Sequence, residues 1–179
     1  MDDHNVPQHL YLHSYCYKPD VRFDQQDEDE EVILKIRAHP ITQIPWIING
    51  VILFLVLFFV DWAFSKSLSA EQFLIINLLS GAMVLSYLWF NFLSYYFNVG
   101  IVTNKRIIDM DYQSVMFREI SETNFDKIED VTSISGGYIA SLFNFGDVVV
   151  QTAGTSANIQ FLKVPKSQDV VTIINHFAK

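Results

Sequence analysis

The chain has 179 residues, half of them hydrophobic, and a formal net charge of -8 at pH 7. An acidic balance with no basic stripe excludes a nucleic-acid binder, and the single cysteine, Cys16, excludes an intramolecular disulfide and fits a reducing compartment. The length leaves room for one small soluble domain once two long apolar stretches are set aside.

Residues 1–30 form an acidic, polar segment, and the acidic run 24–31, Asp-Gln-Gln-Asp-Glu-Asp-Glu-Glu, closes the polar stretch at Glu31. Like charges at that density resist compaction, so this segment reads as a disordered cytoplasmic tail. His4, His9, His13 and Cys16 are its metal-capable side chains, and the last three would share a face if the segment were helical. Their spacing matches no zinc module, and the acidic run lacks the glycine and ligand spacing of a calcium loop, so no metal is expected.

Residues 31–40 open with a strand-like run, Val32 to Arg37, broken by His39 and Pro40. A lone strand beside a bilayer would leave backbone groups unpaired, so its partner is expected beyond the apolar stretches.

Residues 41–97 read as a transmembrane hairpin with helices over about 43–64 and 70–97. Ile41–Val60 and Phe73–Phe97 contain no ionisable side chain, and roughly 20 helical residues span a bilayer core about 30 Å thick. A chain this short could not cover two such helices within a soluble core. Between them, Ser69 and Gln72 have the spacing of a capping box, and Trp46, Trp62, Trp89, Tyr95 and Tyr96 fall near the ends of the spans, where amphipathic rings favour the interface. Lys35 and Arg37 precede the hairpin and Lys105 and Arg106 follow it, against Lys66 alone in the loop, which places both termini in the cytoplasm. The first apolar run starts too late and is too long for a cleavable signal peptide. In an antiparallel hairpin Asn49 and Asn91 lie near the same end and are expected to face each other, while Gly81, Ala82 and Ser86 offer a surface for close packing. Neither span carries a charge, so transport by this chain alone is not expected.

Residues 98–179 change to a period of two. Strands are expected over 98–103 and 106–112, joined by an Asn104-Lys105 turn, then over 115–120 and 127–134 after a turn at Gln113-Ser114. Gly136-Gly137 interrupts the sheet, Tyr138–Phe143 suggests one helical turn, and a hairpin follows from 147–152 and 157–164 about a turn at 153–156. Ser167 reads as the cap of a last helix whose Val170, Ile173, Ile174 and Phe177 recur at i, i+3, i+4 and i+7. The fold class is thus an α+β membrane protein: a two-helix transmembrane hairpin and a small antiparallel sheet or partial barrel closed by a C-terminal helix.

Five pieces in order, 30–40 (Glu-Glu-Val-Ile-Leu-Lys-Ile-Arg-Ala-His-Pro), 102–108 (Val-Thr-Asn-Lys-Arg-Ile-Ile), 127–131 (Lys-Ile-Glu-Asp-Val), 142–148 (Leu-Phe-Asn-Phe-Gly-Asp-Val) and 152–154 (Thr-Ala-Gly), are similar to membrane-anchored bacterial pleckstrin-homology-like (PH-like) proteins. The resemblance covers residues 30–179 and implies a bacterial plasma-membrane protein with a cytoplasmic PH-like domain, no established enzymatic activity and no catalytic residue to carry over. A fold of this kind hosts lipid, peptide and protein ligands.

No GxSxG, HExxH or Walker motif is present, His176 reads as a surface histidine, and neither an enzyme nor a cofactor is expected. Lys105 and Arg106 are the candidates for an anionic phospholipid headgroup, although Asp109 and Asp111 follow closely. The leading expectation is a domain held at the membrane for protein–protein interaction or self-assembly through exposed strand edges, with a protein partner or homo-oligomer. An accessory subunit of a transport or secretion complex is the third reading.

Overall fold

The computed structural model describes residues 13–19, 21–23, 26–114, 117–153 and 158–178. The chain divides into two compact units, Ile41–Tyr95 and a second made of Met1–Pro40 with Tyr96–Lys179.

The first unit is helical. A 3-10 turn at Pro40–Gln43 leads into α1, Ile44–Phe64, with Pro45 in its first turn, where a preset φ helps and no amide donor is missed. α2 spans Ala70–Phe97. The expected capping box starts it: the Ser69 N–H donates to Gln72 Oε1 at 3.1 Å and the Gln72 N–H to Ser69 Oγ at 3.4 Å. Both helices are long and apolar enough to cross a membrane, and their large side chains are mostly exposed. Their close approach is at Gly50, where a Cβ would come within 2.5 Å of Leu88 Cδ2. It is not at Gly81, Ala82 and Ser86, which are exposed. Ala82 and Ser86 stand about 200° around the helix from the buried Val84, and Gly81 faces open space.

The second unit holds two antiparallel sheets. One has five strands in sequence order: β1 Tyr15–Tyr17, β2 Val32–Ile36, β3 Val99–Thr103, β4 Arg106–Ser114 and β5 Phe117–Asn124. The other has three: β6 Ile128–Ile134, β7 Phe145–Thr152 and β8 Ile159–Pro165. The seven-residue helix α3, Gly137–Phe143, links β6 to β7, and α4, Ser167–Phe177, follows β8. β2 pairs with β3, Lys35 opposite Ile101 and Ile36 opposite Gly100, so the strand before the hairpin finds its partner immediately after it. Leu34, Ile36, Val102 and Ile107 of the first sheet meet Val148, Val150, Ile159 and Phe161 of the second in one core, closed by Val170 and Ile174 of α4. Gly100 is where the Phe161 ring crosses toward the first sheet; a Cβ there would overlap the ring and Ile36. A second, smaller cluster of Val32, Ile101 and Ile108 lies apart from that core, packed against by Phe23, Val99 and Met110.

Three expectations need correction. The N-terminal segment is not a disordered tail where it is described: β1 pairs with β2, Tyr15 opposite Ile36 and Tyr17 opposite Leu34, and Phe23 packs on the second cluster. Without that cover the β2 edge and its apolar side chains would meet water. Cys16 therefore sits on a strand, not a helix, and among the described residues no three metal-capable side chains gather; His4 and His9 lie outside them. Second, β4 runs on through Gln113-Ser114 and β5 extends to Asn124, past the expected turn and strand end; Val115 and Met116 lie outside the described residues, as do 154–157 of the second expected turn. Third, α4 begins after Lys166, held at φ 50°, with no side-chain cap, while the Ser167 hydroxyl accepts from Ser133 Oγ at 2.8 Å.

Candidate functional site

Antiparallel pairing of β2 with β3 brings the residues before β2 against the β3–β4 turn, with Val32 opposite Thr103. This joins the acidic run to the basic pair. Glu30 is buried and receives a two-pronged contact from Arg106, Nε to Oε1 and Nη2 to Oε2, both at 3.0 Å. Thr103 Oγ1 lies 2.8 Å from Glu30 Oε1, and the Asp27 N–H donates to Oε2 at 3.2 Å. Burial works to raise the Glu30 pKa, but the Arg106 hydrogen bonds, with Thr103 and the Asp27 amide, outweigh it and the carboxyl is held below its ordinary value. Arg106 reaches Glu122 with its remaining prong at 2.9 Å, and its guanidinium lies 5.9 Å from the Phe23 ring centroid. Lys105 pairs with Asp27 at 3.2 Å, and Asn104 exchanges backbone and side-chain bonds with Asp29 and Glu31. The two residues expected to meet a lipid headgroup are thus engaged by the chain's own carboxylates. The role of Glu30 was not read from the sequence, although an antiparallel β2–β3 pair places whatever precedes β2 beside that turn.

Beside the smaller cluster lies a cleft of about 210 Å³, whose apolar lining includes Val32, Ile101, Met110 and Phe97. Lys35 and Arg37 also line it, and the Arg37 guanidinium sits 4.9 Å from the centre of the Tyr96 ring. Burial, then the charge of Arg37, lowers the Lys35 pKa. A recess with apolar walls and two cations suits an acidic, partly apolar segment.

A smaller hollow of about 110 Å³ is lined by Asp109 and Asp111 together with Gly100 and Phe161. Burial, reinforced by Asp111 and Glu119, pushes the Asp109 carboxyl up to about 7. In the helical unit Asn49 is exposed, and Asn91 Nδ2 donates to the Tyr87 carbonyl of its own helix at 2.8 Å. Among the described residues no hydrogen bond joins the two asparagines.

Two small antiparallel sheets around one core, closed by a C-terminal helix and interrupted between the second and third strands by two apolar helices, define an α+β domain. The Bacterial PH domain family matches residues 42–178, and the chain belongs to that family. Among solved structures, it is similar to a DUF1696 family protein with a pleckstrin-homology domain from Shewanella loihica, at 21% identity and a TM-score of 0.35, over 46% of this chain and 71% of that one. No curated protein matches.

Proposed function

We propose that this chain is a non-enzymatic, membrane-anchored PH-domain protein of the bacterial plasma membrane: α1 and α2 cross the bilayer, both termini are cytoplasmic, and the domain is presented at the inner face for protein–protein interaction or self-assembly. The observation that carries this is where the apolar helices enter the domain. They leave after β2 and return into β3, which are hydrogen-bonded neighbours, so a membrane-embedded hairpin pins the domain through two adjacent strands of one sheet. At 1.5 Å per residue α1 is about 31 Å long and α2 about 42 Å, enough for a core about 30 Å thick, the second with tilt.

Protein interaction is favoured over headgroup recognition because Lys105 and Arg106 are held by Asp27, Glu30 and Glu122. The cleft with Lys35 and Arg37 supports a partner that offers an acidic and apolar segment, from another protein or a second copy. The test is purification of the full-length protein from native membranes in mild detergent, read by native mass spectrometry. A defined homo-oligomer or a stoichiometric protein partner is expected, and Lys35→Glu should dissociate it. A monomer that retains one anionic lipid species would contradict the interaction reading and move the function to lipid recognition.

A further inference from the structure

We propose that β5 is the seam between two copies of this chain: the strand pairs antiparallel with β5 of a second copy about a two-fold axis at Ile120, so that two five-stranded sheets run on as one. This rests on the self-assembly reading above and on the sheet-bearing unit alone, not on the hairpin crossing a bilayer.

Among the described strands β5 ends its sheet, paired with β4 alone along Phe117–Asn124. An edge of eight residues is a template for another strand. The other sheet ends offer less. β1 spans three residues, and on β8 the Lys163 carbonyl already accepts the His39 N–H at 2.7 Å. β6 carries two acids, Glu129 and Asp130, and no base to answer them.

The charges of β5 answer each other. Centred on Ile120, an antiparallel pair sets Arg118 opposite Glu122 and Glu119 opposite Ser121, with Ile120 opposite its own copy, and the two-fold repeats each pair. The strands then overlap over 117–123. Registers that oppose Glu119 to Glu122, or Glu119 to itself, set like charges together. The register that opposes Arg118 to Glu119 overlaps the strands over 117–120 alone. Glu122 is exposed and accepts one Arg106 nitrogen at 2.9 Å; a carboxylate has two oxygens, so it can take a second cation.

The apolar row of the sheet points to the same centre. Ile120 is 49% exposed on the edge strand, opposite Met110, which stands opposite Val99. Met110 and Val99 pack on the smaller cluster of Val32, Ile101 and Ile108. Pairing at Ile120 therefore covers the exposed end of this row with the same row of the second copy. On the opposite face Asp111 and Glu119 are cross-strand neighbours, and the register brings Ser121, not another acid, against Glu119.

The test uses full-length protein in mild detergent, in a Cys16→Ser background. Ile120→Cys should link two copies by a disulfide on mild oxidation, because residues directly opposite in an antiparallel pair have Cα atoms about 4.5–5.5 Å apart, within disulfide reach. Asn124→Cys, exposed on the same strand, should not link, since its two copies would lie eight residue steps apart, roughly 27 Å. Arg118→Glu added to Ile120→Cys should cut the linked fraction several-fold. Lys35→Glu should leave it in place, because Lys35 stands three strands away on β2, so an assembly held also at the cleft falls to this dimer. Equal linking at 120 and 124 is random collision and overturns the seam. Undiminished linking with Arg118→Glu overturns the register. An unlinked Ile120→Cys overturns the seam alone if light scattering of the Cys16→Ser protein still gives a dimer, self-assembly then using another surface. If light scattering gives a monomer, self-assembly falls with the seam.

Discussion

Replacing Glu30 with alanine removes the buried carboxylate that ties the N-terminal segment to the β3–β4 turn. The side chain is fully buried and is held by two Arg106 nitrogens, the Thr103 hydroxyl and the Asp27 amide. Breaking one side of a buried ion pair costs about 3–5 kcal/mol because the surviving charge stays desolvated. Arg106 keeps Glu122 and is 20% exposed, so the lower end applies, about 3 kcal/mol. Hydrogen exchange of the full-length protein in detergent micelles reads this locally, since the peptides of β2 and β3 report the opening of this end of the sheet. At about 1.4 kcal/mol per factor of ten, the amides of Leu34–Ile36 and Gly100–Val102 should exchange about 100-fold faster, while those of β6–β8 change less. Glu30→Ala combined with Arg106→Ala should cost clearly less than the sum of the single changes. A single-mutant effect below threefold, or strict additivity, would refute the reasoning. The same contact predicts acid sensitivity. The Glu30 pKa is lowered in the folded state, so its contribution is fully present above the ordinary value of 4.5 and is lost as pH falls through the lower folded value.

Asp109 has the opposite sign. Its carboxyl rises from 3.8 to about 7, so between those values the folded state holds a proton the unfolded state releases, and stability declines as pH increases through that window. Asp109→Asn should remove this dependence and raise stability at pH 8 by about 1–3 kcal/mol, the ceiling set by three pKa units and lowered by solvent access; melting curves at pH 5 and pH 8 check it. Gly100→Ala drives a methyl into the Phe161 ring and Ile36 and should cost about 1–3 kcal/mol, with Phe161→Leu recovering part of the loss; an unchanged melting temperature would contradict the close crossing. Because the Asn91 amide is satisfied by Tyr87 within its own helix, Asn49→Leu and Asn91→Leu should be additive within about 0.5 kcal/mol in detergent melts, whereas strong coupling would show that the two amides meet.

The parts of the fold carried by periodicity were legible from residues. The uncharged runs, the capping box at Ser69 and Gln72, the Asn104-Lys105 turn and the i, i+3, i+4, i+7 face of α4 are local patterns, and the structure has them where they were expected. The pairing of β2 with β3 across the hairpin was also inferable, because a strand left alone has unpaired backbone groups. What failed was non-local charge. Asp27 to Glu31 look self-repelling along the chain, and only the paired strands reveal that Lys105 and Arg106 stand opposite Asp27 and Glu30, while Asn104 bonds the backbone of Asp29 and Glu31. That same arrangement weighs against the headgroup alternative, since Lys105 and Arg106 are already engaged by carboxylates of the chain. The cap of α4 was misread for a related reason: Ser167 spends its hydroxyl on Ser133, 34 residues away, which no window along the sequence can show. The exposed face of α3 was visible only as a short helical turn, because a seven-residue segment gives too few periods to separate a core face from a surface one.

The central claim, a bilayer-spanning hairpin that holds the domain on the cytoplasmic side, is tested most directly by labelling single cysteines with a membrane-impermeant maleimide in intact bacterial spheroplasts, again with Cys16→Ser. Ser67→Cys lies in the loop between α1 and α2 and Asp126→Cys in the domain, both exposed. The account predicts that position 67 is labelled from outside and position 126 only after lysis, with the protein retained in the membrane after alkaline extraction. Labelling of both positions before lysis, labelling of 126 alone, or release of the protein into the alkaline supernatant would contradict it.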